Sequence, residues 1–93
     1  MNKIDLKNKV AVVTGGAQGF GLAIVERLLE SEAEVIIWDM DEELLSNLKL
    51  KGKVHKIVAN VTDFKSVENA TKESISLCGK VDILINNAGI AGP

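Results

Sequence analysis

The chain has 93 residues, 46% of them hydrophobic and 26% charged, with a net charge of −2 at pH 7. That length excludes a two-domain protein, because domains run from about 50 to 200 residues. The apolar content excludes disorder, and no apolar run nears the roughly 20 residues that span a bilayer, so no membrane partner is expected. Eleven basic against thirteen acidic residues leave no broad basic footprint, which argues against nucleic acid as a partner. Cys78 is the only cysteine, so the chain can form neither an internal disulfide nor a multi-cysteine metal site; no metal is expected, and a reducing compartment suits it. Residues 1–9 are polar and lysine-rich but lead into only a short apolar segment, unlike a secretory signal, so a cytoplasmic protein is expected.

In chain order, Val10-Ala-Val-Val-Thr14 is a short β-branched run ended by Gly15, the pattern of a strand buried on both faces. After a cluster of glycines, Leu22, Val25, Leu28 and Leu29 recur at helical steps with Glu26, Arg27 and Glu30 on the other side. Glu34 to Trp38 predicts a second strand ending at Asp39. Asp41 can cap a helix carrying Leu44, Leu45 and Leu48 on one face, with Gly52 as its stop. Val54 to Ala59 predicts a third strand, whose His55 and Lys56 suit an outer, surface-exposed position. Thr62 or Asp63 opens a third helix with Val67, Ala70, Ser74 and Leu77 on one face and Gly79 as its stop, Cys78 being a small packing residue near its end. The last predicted strand is Asp82 to Ile85.

Strands alternating with helices imply an α/β fold with a parallel sheet covered on both faces. Right-handed crossovers carry the chain outward from the first strand and then back past it, which predicts about four strands in the order 3-2-1-4 with the third helix on the opposite face. The strand order then reverses between strands one and four. Ligands of such sheets bind in the crevice beyond the carboxyl ends of the strands at that point.

Two glycine-bearing segments arrive there. Thr14-Gly15-Gly16-Ala17-Gln18-Gly19-Phe20-Gly21 joins a strand to a helix, so the free amides and positive dipole end of that helix face the crevice, where a pyrophosphate can be held. Asp39 follows Gly19 by twenty residues at the end of the second strand, the place of an acid that receives ribose hydroxyls. Hydrogen bonds to a charged group contribute about 1.5 to 3 kcal/mol each. A 2′-phosphate set against Asp39 would instead meet repulsion of about 1 to 4 kcal/mol at 4 Å. NAD is therefore expected, with NADP disfavoured.

With Thr14, Gly15, Gly19 and Gly21 spaced as Thr-Gly-x-x-x-Gly-x-Gly, and with Asn86-Asn87-Ala88-Gly89 after the fourth strand, the chain resembles the short-chain dehydrogenases/reductases over its whole length. The resemblance implies a partial Rossmann fold, the dinucleotide-binding half of a domain. It implies that the loop from Gly15 to Gly21, Ala17, Gln18 and Phe20 included, wraps the pyrophosphate, and that Asp39 selects NAD. Family members that use NADP carry a basic residue where this chain has Gln18 or Met40. Asn86 resembles the residue that steadies the central sheet, while Asn87, Ala88 and Gly89 bring backbone near the adenosine half of the cofactor. Asn60-Val61 stands where the family commonly has Asp-Val or Asp-Leu against the adenine; an asparagine carbonyl still accepts that bond, without charge.

The family's catalytic serine and Tyr-x-x-x-Lys helix lie downstream of the second motif, and this chain has no tyrosine. The expectation is therefore the cofactor-binding half of an NAD-dependent oxidoreductase acting on an alcohol or carbonyl, a 3-oxoacyl or small-ketone reductase by leaning. The catalytic half is absent from the chain, no catalytic residue is assigned, and the complete protein is expected to be a homo-oligomer with a small-molecule substrate. The alternative is a stand-alone, non-catalytic half-fold that binds a nucleotide or a partner.

Overall fold

The computed structural model describes residues 5–88. Among them, four strands alternate with three helices: β1 (Val10–Thr14), α1 (Gly19–Glu30), β2 (Glu34–Asp39), α2 (Glu42–Asn47), β3 (Val54–Val58), α3 (Phe64–Cys78) and β4 (Ile83–Asn86). The strands pair in parallel in the order β3-β2-β1-β4, the arrangement of a partial Rossmann α/β fold. No helix among the described residues is long and apolar enough to cross a membrane.

The two inner strands are apolar along their length because both of their faces are covered. Successive side chains of a strand point to opposite faces. On one face Val10, Val12, Ile36, Trp38, Ile57 and Ala59 form a core closed by Ala70 of α3. On the other, Val13, Val35 and Ile37 pack with Val25 of α1 and Leu45 of α2. Val12, Val13, Val25, Val35, Ile36 and Ile37 are fully buried. Each contributes about 1.5 to 3 kcal/mol through burial. On α1, Ile24, Leu28 and Leu29 flank Val25, and Leu22 is half-buried.

Two helices differ from the sequence expectation. α2 ends at Asn47, not near Gly52: Asp41 caps its start by accepting from the Leu44 amide at 3.0 Å, but Leu48 already has extended backbone. The extension keeps Leu48 packed on the α1 side of the sheet, and its carbonyl accepts from Lys56 Nζ at 3.0 Å. Gly52 serves instead in the turn into β3, against Leu29. On α3, Leu77 is 48% exposed while Cys78 packs on the core. At 3.6 residues per turn Cys78 lies within about 20° of Val67 around the helix axis, whereas Leu77 is about 80° away. Asp63 caps this helix by accepting from the Lys65 amide, and Gly79, left-handed, ends it with its amide on the Ile75 carbonyl at 2.7 Å.

Strand limits shift by a residue. β3 ends at Val58, although the Ala59 amide still donates to the Asp39 carbonyl at 3.1 Å, and β4 runs from Ile83 to Asn86. His55 does lie on the outer strand but is half-buried rather than a surface residue, with Glu34 against its ring. β4 forms the other edge, where Leu84 is 62% exposed. Asp82 fastens that edge: its carboxylate accepts from the Val10 amide at 2.8 Å and pairs with Lys80 at 3.1 Å, while its own amide donates to the Val10 carbonyl at 2.8 Å.

Two predictions follow from these contacts. The indole N–H of Trp38 donates to Ser74 Oγ at 3.0 Å inside the core. Ser74→Ala leaves that donor unpaired and should destabilise the fold by about 1 to 3 kcal/mol; an unchanged urea midpoint would contradict this. The bond from the Val10 amide, helped by Lys80, holds the Asp82 carboxyl below the ordinary carboxylate range. A group whose pKa is lower folded than unfolded stabilises above its unfolded pKa and loses that contribution as pH falls through its folded pKa. Asp82→Asn should therefore flatten the acid side of a stability-versus-pH curve between pH 5 and pH 2, roughly the carboxylate range, and an unaltered acid limb would refute it.

Candidate cofactor site

The carboxyl ends of β1, β2 and β4 surround a cavity of about 560 Å³ lined by Gly15, Gln18, Gly19, Phe20, Asp39, Asn87 and Ala88. β1 stops at Thr14, and the chain crosses the sheet end before α1 begins at Gly19. Gln18, the residue before the helix, is extended and offers no side-chain cap, and the first turn carries no acid. The amides at this helix start thus keep their partial positive charge, turned toward the cavity that Gln18, Gly19 and Phe20 line.

Two glycines are required here for different reasons. Gly19 has φ +60, and a Cβ at that position would meet nothing within 4 Å; the left-handed backbone selects glycine and the space before it stays open. At Gly21 a Cβ would fall on the Gly15 carbonyl oxygen and within 2.7 Å of Asn87 Nδ2. Helix α1 therefore sits directly on the loop, an approach only glycine permits.

Asp39 closes the far side of the cavity. Its Oδ2 accepts from the Ala17 amide at 3.1 Å and its Oδ1 from the Asp41 amide at 3.0 Å. Both oxygens are oriented by backbone donors and each retains a further lone pair. The glycine loop and the acid, twenty-odd residues apart in sequence, are joined by that Ala17 bond.

The segment after β4 is stitched to the same loop. Thr14 Oγ1 donates to Asn86 Oδ1 at 3.1 Å and accepts from the Ala88 amide at 3.1 Å, while Asn87 Nδ2 donates to the Gly15 carbonyl at 3.1 Å. Thr14, Ala17, Gly21 and Asn86 thus hold the wall from behind. Gly89, the remaining residue of the second motif, lies outside the described residues.

Met40 and Val61 line a smaller cavity of about 50 Å³ with Trp38 and Ala59, and it shares Gly15, Asp39 and Ala88 with the larger one. Ala59 was not singled out by its sequence; its position as the first residue past β3, level with Asp39, is the signal that places it there. Asn60 turns to its own loop, where Oδ1 accepts from the Thr62 amide at 3.0 Å and from Thr62 Oγ1. Both lone pairs of its side-chain carbonyl are thereby engaged within this loop. Taken together, the site offers amide donors at one end, an oriented carboxylate at the other and an apolar niche beside the carboxylate.

Residues 9–93 match the family model described as short chain dehydrogenase. The chain is 39% identical over 93 residues to Short-chain dehydrogenase reductase 3a of Arabidopsis thaliana, covering 97% of this chain and 36% of that protein. It is 37% identical over 90 residues to 3beta-hydroxysteroid dehydrogenase 2 of Eggerthella lenta, covering 91% and 35% respectively. It is 36% identical over 85 residues to 2-dehydro-3-deoxy-L-rhamnonate dehydrogenase (NAD(+)) of a Sphingomonas species, covering 90% and 34%. The chain spans about a third of the length of the curated relatives it matches. Because the family match begins just before β1 and runs past β4, taking in both glycine-bearing segments at the crevice, the chain belongs to the short-chain dehydrogenase family.

Proposed function

We propose that this chain binds NAD(H) in the cavity at the carboxyl ends of β1, β2 and β4, as the cofactor-binding part of an oxidoreductase acting on an alcohol or carbonyl group of a small molecule. The observation that carries the reading is Asp39, an oriented carboxylate facing an open space whose opposite wall is an uncapped helix start. Such a pair suits a ligand with hydroxyls at one end and a diphosphate next to them. The residues fit the cofactor: the open space before Gly19 admits phosphate oxygens, Asp39 receives ribose hydroxyls, and Met40, Ala59 and Val61 flank an apolar ring. Thr14, Gly15, Gly21, Asn87 and Ala88 hold these parts in place, with Ala17 orienting the acid. When bound, the nicotinamide supplies the hydride donor or acceptor.

Preference for NAD over NADP rests on charge. Asp39 repels a 2′-phosphate, and Gln18 and Met40 offer it no cation. The Sphingomonas relative carries NAD(+) in its name, in keeping with this preference. These 93 residues contain no tyrosine, and on this reading they supply cofactor binding and no catalytic residue. The reading extends to a homo-oligomeric cytoplasmic protein: Ile75, Leu77 and Leu84 are exposed apolar residues that further chain or a further copy can cover. Ketones and 3-oxoacyl thioesters are the substrates to try first.

Titration of NADH into the complete protein should quench Trp38, a residue lining the niche next to Asp39, with energy transfer to the dihydronicotinamide. No saturable signal up to about millimolar NADH, near −4 kcal/mol of binding, would count against the cofactor. Asp39→Ala combined with Met40→Arg should move the NADPH/NADH preference by at least about tenfold, or 1.4 kcal/mol. An unmoved ratio would show that Asp39 does not read the ribose. The 93 residues alone should bind cofactor without oxidising NADH in the presence of ketones or 3-oxoacyl thioesters, since cofactor binding that is equal in ground and transition states does not accelerate the step. Turnover by the purified chain that vanishes in Gly19→Val would overturn this and place the catalytic groups within it.

A further inference from the structure

At the opposite end of the sheet, three residues far apart in sequence meet in space. Glu34 opens β2, His55 is the second residue of β3, and Cys78 is the last of α3. Glu34 and His55 emerge on the sheet face that α3 covers, in step with Ile36 and Ile57, and the end of α3 lowers Cys78 onto them. His55 Nε2 lies 2.7 Å from Glu34 Oε2, and Cys78 Sγ lies 3.4 Å from the same oxygen. One ligand atom from each falls within 4.8 Å of the others, and all three residues are half-buried.

We propose that Glu34, His55 and Cys78 form a binding site for a divalent cation of the zinc class, with water as the fourth ligand. Tetrahedral bonds of about 2.0 to 2.3 Å to oxygen, nitrogen and sulfur set the donor atoms roughly 3.3 to 3.6 Å apart. The group already approaches that spacing, so small side-chain rotations suffice. Imidazole and thiolate beside one carboxylate favour zinc over the hard cations magnesium and calcium, which take oxygen. Glu34 and an ionised Cys78 together balance two positive charges. Glu34 and Cys78 also line a cavity of about 230 Å³ with Asn8, Glu32, Lys53 and Lys80, through which water can reach the group. Lys80 is occupied there by Asp82 and the Asn8 carbonyl, while the charge of Lys53 acts on Glu34 beside that of His55.

Without the ion the cluster is a hydrogen-bonded one. Burial and the neighbouring Glu34 carboxylate push the Cys78 thiol up to about 11, so it is protonated and donates to Glu34. The bond from His55 holds Glu34 below the ordinary carboxylate range. Binding then replaces the thiol proton with the cation and releases that proton to solvent, while the ring proton of His55 moves from Nε2 to Nδ1 so that Nε2 can ligate. The bound ion would tie the outer strand β3 to β2 and to the end of α3, on the side of the sheet away from the crevice. This assignment is independent of the nucleotide reading.

The test is Co²⁺ titration of the reduced, chelator-treated full chain. Saturable thiolate-to-cobalt charge-transfer absorption with the visible bands of tetrahedral cobalt is expected, displaced by Zn²⁺. The charge-transfer band should vanish in Cys78→Ser, and affinity should fall at least about tenfold in His55→Ala and Glu34→Gln, as loss of one of three ligands requires. Zn²⁺ should also protect Cys78 of the unaltered chain from alkylation and release about one proton per ion at neutral pH. This arm needs no variant, so it decides the matter even where a substitution unfolds the chain. Absence of the band at about millimolar Co²⁺, a band undiminished in His55→Ala, or alkylation indifferent to Zn²⁺ would each overturn the assignment.

Discussion

The site depends on the meeting of two chain segments at the end of β1. Thr14 is the pivot: its hydroxyl donates to Asn86 and accepts from the Ala88 amide, while the neighbouring Gly15 carbonyl accepts from Asn87. These bonds hold the loop before α1 and the segment after β4 as one wall. Gly21 then lets α1 rest on that wall, since any side chain there would occupy the position of the Gly15 carbonyl. Were the wall to open, the helix start would no longer face Asp39 across a defined space.

The sheet beneath supplies rigidity. β1 and β2 are buried along both faces, and each face has its own apolar core, one under α3 and one under α1 and α2. Close packing of that kind leaves little freedom to move one strand end against another. Asp39 is therefore carried to its place by β2, and its carboxylate is aimed by the Ala17 and Asp41 amides. The polar bonds that remain inside the fold, Trp38 to Ser74 above all, fix which way the core side chains lie.

The two ends of the sheet differ in chemistry for a physical reason. Parallel strands direct all their carboxyl ends, and the loops that follow them, to one side, where glycines, amides and an acid gather. The amino ends receive the chain returning from the helices. There Glu34 and His55 come together with Cys78, because strand register and helix length place them at one height. The proposed nucleotide site and the proposed cation site thus lie at opposite ends of the strands.

Much of this was legible in the residues themselves. The strand and helix order, the parallel sheet with β3 and β4 at its edges, and the convergence of the Gly15 to Gly21 loop with Asp39 all follow from periodicity, turn residues and the handedness of crossovers. These are local patterns, or rules that act on short connections. What the tertiary structure alone decided are matters of distance and direction. α2 ends early with Leu48 extended and still packed on the core, and the choice of Cys78 over Leu77 reflects where a 3.6-residue period has arrived after three turns. The engagement of Asn60 by Thr62 depends on a loop whose shape the chain acquires only after folding. The group of Glu34, His55 and Cys78 is the clearest case: no spacing in the sequence relates them, and they share a site only because hydrogen-bonded register and a packed helix turn three separate side chains toward one point.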